Sequence, residues 1–107
     1  MFNKGLGNIY KQAQEMQKKM AQVQEELKNT KIEGQSGGGM VKVLVNGKKD
    51  LLSIDINESI MKEDKEMLED MVLAAVNQAM KNSEKKAEEM MKSVTGGALP
   101  NFNLPGF

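Results

Sequence analysis

A chain of 107 residues has room for one domain with a modest core, and its fifteen basic and fifteen acidic residues balance to a formal net charge of zero. That balance argues against a basic footprint spread over the whole surface, and the absence of cysteine and histidine excludes disulfides, thiolate chemistry and the usual general base and metal ligand. No segment is apolar enough to span a membrane and the polar start lacks the core of a signal peptide, so a cytoplasmic protein is expected.

Leu6, Ile9, Ala13, Met16, Met20, Val23 and Leu27 recur at alternating spacings of three and four, a heptad seam. So narrow an apolar stripe belongs to a helix that projects and lays one edge against a single partner. Asn8 can cap such a helix, which is expected from about residue 9 to Asn29, with Leu6 at its frayed start beside Gly5 and Gly7. Lys4, Lys11 and Lys18 are seven apart and fall on the face opposite the seam: either a solvated face or a stripe that meets phosphates.

From Ile32 the apolar period drops to two. Strands are expected over Ile32–Ser36, Met40–Val45 and Leu51–Ile56, joined by the Gly37–Gly39 turn and a hairpin opened by Asn46-Gly47. Apolar residues recur on both sides of these strands, Met40, Leu44 and Leu51 opposing the main set. The pattern predicts a sheet whose second face or edge is covered by another copy of the chain.

After a short connector at Asn57–Met61, a long helix is expected from Asp64 or Lys65 to Val94, with acids at its start that suit the helix dipole. Its early apolar face (Leu68, Met71, Val72, Ala75, Val76, Ala79, Met80) is wide enough to cover a sheet. Beyond Lys81 it thins to Ala87, Met90, Met91 and Val94, a stripe suited to pairing with the first helix. Gly96-Gly97 ends it. The tail, residues 98–107, is apolar, broken by Pro100 and Pro105, and expected to be flexible and unable to fold alone.

Charge is uneven along the chain. Residues 1–31 carry six lysines against three glutamates, whereas residues 55–70 carry seven acids against Lys62 and Lys65. Every basic residue is lysine, so the planar fork with which arginine reads guanine is missing and any nucleic-acid contact would be to phosphate. Asp55, Asn57, Ser59, Glu63 and Glu66 imitate a calcium loop, but Ile60 occupies the position that needs glycine. The Gly37–Gly39 run lacks the Lys-Ser/Thr of a phosphate loop, and the acids of residues 55–70 have no nucleophile or activated base beside them. The methionines (Met16, Met20, Met67, Met71, Met80) read as adaptable core filling.

Several strings taken together resemble the YbaB/EbfC family of nucleoid-associated proteins. They are the opening Met1-Phe2 with Gly5-Leu6-Gly7-Asn8, then Lys11-Gln12-Ala13-Gln14 and Met16-Gln17; Gly38-Gly39-Met40-Val41-Lys42-Val43 with Asn46-Gly47; Asp64 to Asp70; and Pro105-Gly106-Phe107. The resemblance spans essentially the whole chain. It implies an α+β protomer in a tweezer-like dimer, with sheets forming the dimer and the first and last helices contacting double-stranded DNA. Relatives commonly carry arginine in the third strand and last helix, where this chain has Leu51-Leu52 and Lys81, Lys85 and Lys86; that departure argues against strong or sequence-selective binding and leaves a lysine–phosphate mode.

The expected fold is therefore a single α+β domain over residues 1–107: long helix, three-stranded antiparallel sheet, long helix, with helical arms projecting from a sheet-mediated homodimer. The expected function is non-enzymatic, low-specificity binding of duplex DNA in the cytoplasm and nucleoid. Lys4, Lys11, Lys18 and Lys19 on the first arm and Lys81, Lys85, Lys86 and Lys92 on the last helix are the candidate contacts. No cofactor, metal, membrane or small-molecule substrate is implied. The alternative is a protein-interaction adapter that uses the apolar seams and tail.

Overall fold

The computed structural model describes the backbone of residues 2–95 and the side chains of residues 6–94; Gly96-Gly97, the tail 98–107 and the Lys4 side chain lie outside the described residues. Two long helices, α1 (Phe2–Asn29) and α2 (Lys65–Thr95), enclose strands β1 (Lys31–Ser36), β2 (Val41–Asn46) and β3 (Leu51–Ile56). The strands form an antiparallel sheet in the order β1-β2-β3. The radius of gyration is 19.6 Å, against about 13 Å for a compact chain of this length.

Strand registers decide which residues face α2. Ile32, Gly34 and Ser36 lie opposite Val45, Val43 and Val41, which in turn lie opposite Leu51, Ile54 and Ile56. The three valines are fully buried, and Ala75, Ala79 and Ile60 complete their cluster. The outer face carries Glu33, Gln35, Lys42, Ser53 and Asp55, with Leu44 half-buried among them. Among the described residues the second face is therefore mostly polar, with Leu44 as its apolar residue. A bulge between Leu44 and Val45 shifts the register so that Leu51 lies opposite Val45 and joins the inner face.

One stripe of small residues on α2 organises the molecule. Ala75, Ala79, Ser83 and Ala87 recur every fourth position, so they line a single face, and all four are buried. Ala75 and Ala79 lie against the Gly34 backbone, where a Cβ would come within 2.7 Å of the Ala79 Cα. The Ser83 hydroxyl donates to the Asn46 carbonyl at 2.9 Å. Ala87 meets Val23 and Leu27 of α1. The stripe thus runs from sheet to hairpin to arm.

The β2–β3 hairpin is the joint between these parts. Asn46 is buried and its Oδ1 accepts from the Lys48 and Asp50 amides, each at 2.9 Å. The Gly47 amide donates to the Leu27 carbonyl at 2.8 Å, satisfying one of the last carbonyls of α1. The left-handed residue of this turn is Lys49, at φ 67°. Gly47 is present because a Cβ there would lie 2.5 Å from Leu27 Cδ2 and 2.9 Å from the Leu27 carbonyl oxygen. The Gly37–Gly39 turn does use glycine's freedom, with φ of 60°, 67° and 95°.

Helix α1 begins earlier than its capping signals predict: Asn8, Gly5 and Gly7 all lie inside it. A glycine within a helix costs only about 1 kcal/mol relative to alanine, too little to stop one already propagating.

Candidate nucleic-acid interface

The arm is built from the outer ends of both helices. Moving away from the hairpin, α1 descends in number from Leu27 and α2 ascends from Ser83, so the two run antiparallel. Val23 and Leu27 are buried against Ala87, with Met90, Met91 and Val94 packed around them. Beyond that contact the seam emerges: Met20 is half-buried, while Met16, Ile9 and Leu6 are 38%, 65% and 63% exposed. Only the inner part of the seam finds α2. The rest is uncovered among the described residues because α1 extends further outward than the described end of α2.

Lys11, Lys18 and Lys19 are exposed on the outer part of α1, where Glu15 is the single acid between residues 6 and 19. Lys11 and Lys18 stand roughly 10.5 Å apart along the helix axis. Lys92 is exposed near the described end of α2 and shares this arm. Lys85 and Lys86 sit at the junction where α2 leaves the sheet, among Glu84, Glu88 and Glu89. Lys81 belongs to the sheet region: its neighbour Asn82 donates to the Glu33 carbonyl at 3.0 Å. The fold therefore gathers Lys11, Lys18, Lys19 and Lys92 on one projecting arm, and sets Lys81, Lys85 and Lys86 nearer the body. Lys4 has a backbone position at the outer end of α1 but no described side chain.

Lys49, which sequence reading left aside, is exposed but engaged. Its Nζ lies 2.7 Å from Glu84 Oε1. That hydrogen bond and the ammonium charge hold the Glu84 carboxyl below its ordinary range. Both partners are solvated, so the pair fixes position more than it stabilises.

The opposite end of α2 has the reverse polarity. A shallow groove beside the start of that helix is lined by Ser36, Gly37, Asp64, Glu66, Met67, Asp70 and Met71. From Asp70 to Lys92 is about 33 Å of helix, so acidic and basic ends are well separated. A polyanion is repelled at one and attracted at the other. Among the described residues, no group of three or more acidic, cysteine or histidine side chains is placed to hold a metal ion, and no helix is long and apolar enough to cross a membrane.

The chain matches the model of the YbaB/EbfC DNA-binding family over residues 2–98. It is similar to the nucleoid-associated protein TTE0040 of Caldanaerobacter subterraneus subsp. tengcongensis, at 51% identity over 102 residues, 94% of this chain and 88% of the relative. Among solved structures it resembles the uncharacterized protein HP0035 from Helicobacter pylori, with a TM-score of 0.62 and 33% identity over 74% of this chain and 93% of that one.

Proposed function

The chain belongs to the YbaB/EbfC DNA-binding family, and from that premise we propose that it binds duplex DNA in the nucleoid as a homodimer. Recognition is by lysine–phosphate contacts with little sequence preference, and the protein catalyses no reaction. The observation that carries this reading is the projecting arm with Lys11, Lys18, Lys19 and Lys92 exposed on it, far from the acidic end of α2. Lysine acts as a compact point charge on phosphate oxygens, a contact that fixes position on the duplex but carries no sequence information. Any preference then comes from the shape and deformability of the DNA. In a mobility-shift assay at low salt, two duplexes of equal length and unrelated sequence should be retarded at similar protein concentrations. Retardation of one alone would overturn the reading.

The two edges of the sheet support the dimer. The β1 edge is sealed by α2: the Gln35 amide donates to Gln78 Oε1 at 2.6 Å, and Asn82 reaches the Glu33 carbonyl. The β3 edge pairs with no further strand among the described residues, and α2 lies over β1 and β2. Leu51 and Leu52 are 49% exposed there and Ile54 43%. An open edge with apolar residues is a template for pairing with another chain. Replacing Ile54 by Asp should therefore yield monomers in sedimentation equilibrium at micromolar concentration, where the parent sediments as a dimer. A monomeric parent would sink this part of the proposal.

A further inference from the structure

Among the described residues, the outer end of α1 leaves an apolar stripe open on the arm. Leu6, Ile9 and Tyr10 are each more than 60% exposed, and Ala13 and Met16 continue the same stripe inward. Leu6, Ile9, Ala13 and Met16 repeat the seam that α2 covers further in at Val23 and Leu27, with Tyr10 on their flank, and among the described residues the outer stripe lacks the cover the inner one has. The described part of α2 stops at Thr95, one residue after Val94, which packs with Val23 and Leu27, so the helix ends inward of this stripe and points toward it.

We propose that the chain's own C-terminal segment, residues 98–107, lies along this stripe in continuation of α2. Its chemistry fits. Leu99, Phe102, Leu104 and Phe107 fall within nine residues, and no residue from 96 to 107 is charged. Pro100 and Pro105 oppose a helix and favour extended backbone at themselves and the residues before them. An extended segment needs little length: Met16 to Leu6 spans about 15 Å of helix, and twelve residues beyond Thr95 reach up to about 40 Å. Gly96 and Gly97 give the chain freedom to turn off the α2 axis onto α1. Because the segment is joined to α2 next to its target, ordering it closes only a short loop, whereas a separate partner must lose its translational freedom. Docked there, the segment covers apolar surface and leaves Lys11 and Lys18 free on the opposite face.

The chain supplies its own reporter. Tyr10 is the single tyrosine and there is no tryptophan, so ultraviolet emission comes from a residue that adjoins the stripe at Leu6 and Ala13. Acrylamide quenching of the full chain, without DNA, should show Tyr10 shielded. In a full-length variant carrying Phe102→Ser, Leu104→Ser and Phe107→Ser, the quenching constant should rise to that of an unstructured tyrosyl peptide, with helix content unchanged. Equal quenching of parent and variant would overturn the proposal. A second arm identifies the donor of the segment. Since the chain has no cysteine, Ile9→Cys with Phe102→Cys should oxidise to an intrachain disulfide that migrates as a compact monomer on a denaturing gel. A product of twice the chain mass would assign the cover to another copy and contradict the proposal.

Discussion

Replacing Gly34 by Val should destabilise the protein by about 3 kcal/mol or more. The cause is backbone against backbone. A Cβ at Gly34 meets the Ala75 carbonyl oxygen and the Ala79 amide and Cα. None of these is the far end of a flexible side chain that can swing aside. Relief requires α2 to lift from β1, which also strains the Gln35–Gln78, Ser36–Met71 and Asn82–Glu33 hydrogen bonds. It further pulls Ala75 and Ala79 off the three buried valines. Urea unfolding followed by circular dichroism measures the effect as a lowered midpoint with unchanged slope. Gly7→Ala is the contrast: nothing lies within 4 Å of that position, inside α1. There the added methyl should stabilise helix by up to about 1 kcal/mol. If both variants unfolded at the parental midpoint, the close approach of α2 to β1 would be wrong.

The second large effect is on binding. Lys11→Gln combined with Lys18→Gln should weaken duplex binding on the order of 50-fold at 0.1 M salt for each arm engaged. Each phosphate neutralised contributes about 0.9 to the slope of log affinity against log salt, roughly eightfold in affinity at that concentration. Unrelated sequences should lose affinity by similar factors, because point charges on phosphates carry no base information. Both residues are exposed on the side of α1 away from the seam, so thermal stability and sedimentation should match the parent. Loss confined to one sequence would mean that bases are read directly. Unchanged binding to all DNA would mean that these lysines only solvate the helix.

How much of this was legible in the sequence depends on whether local pattern or tertiary contact fixes the feature. The spacing of apolar residues located both helices and all three strands, with shifts of one residue at β1 and β2. The thinning of the apolar face beyond Lys81 marked where α2 leaves the sheet, and Val23 and Leu27 do meet Ala87 there. The capping signal at Asn8 misled, because a polar residue before an apolar run is also compatible with mid-helix. The bulge that moves Leu51 to the inner face breaks period-two reasoning and has no local signature. Asn46-Gly47 located the hairpin for the wrong reason: the turn places Lys49 in the left-handed region, and Gly47 answers to Leu27. Ser83 escaped notice because a serine in a long polar-faced helix looks solvated; only its four-residue spacing from Ala79 and Ala87 hinted at the buried stripe. The lysines were visible as charges, but their division between arm and body follows from where α2 crosses the sheet, which spacing alone does not reveal.

The central claim is that exposed lysines on projecting arms hold duplex DNA by its phosphates. Salt titration of the full chain on one duplex tests it most directly. With Lys11, Lys18, Lys19 and Lys92 each neutralising one phosphate, log affinity should fall linearly with log salt at a slope of about −3.6 for each arm engaged. The Lys11→Gln, Lys18→Gln variant should show a slope shallower by about 1.8 for each arm. A flat response, or no binding at low salt, would contradict the account and favour a protein-interaction adapter.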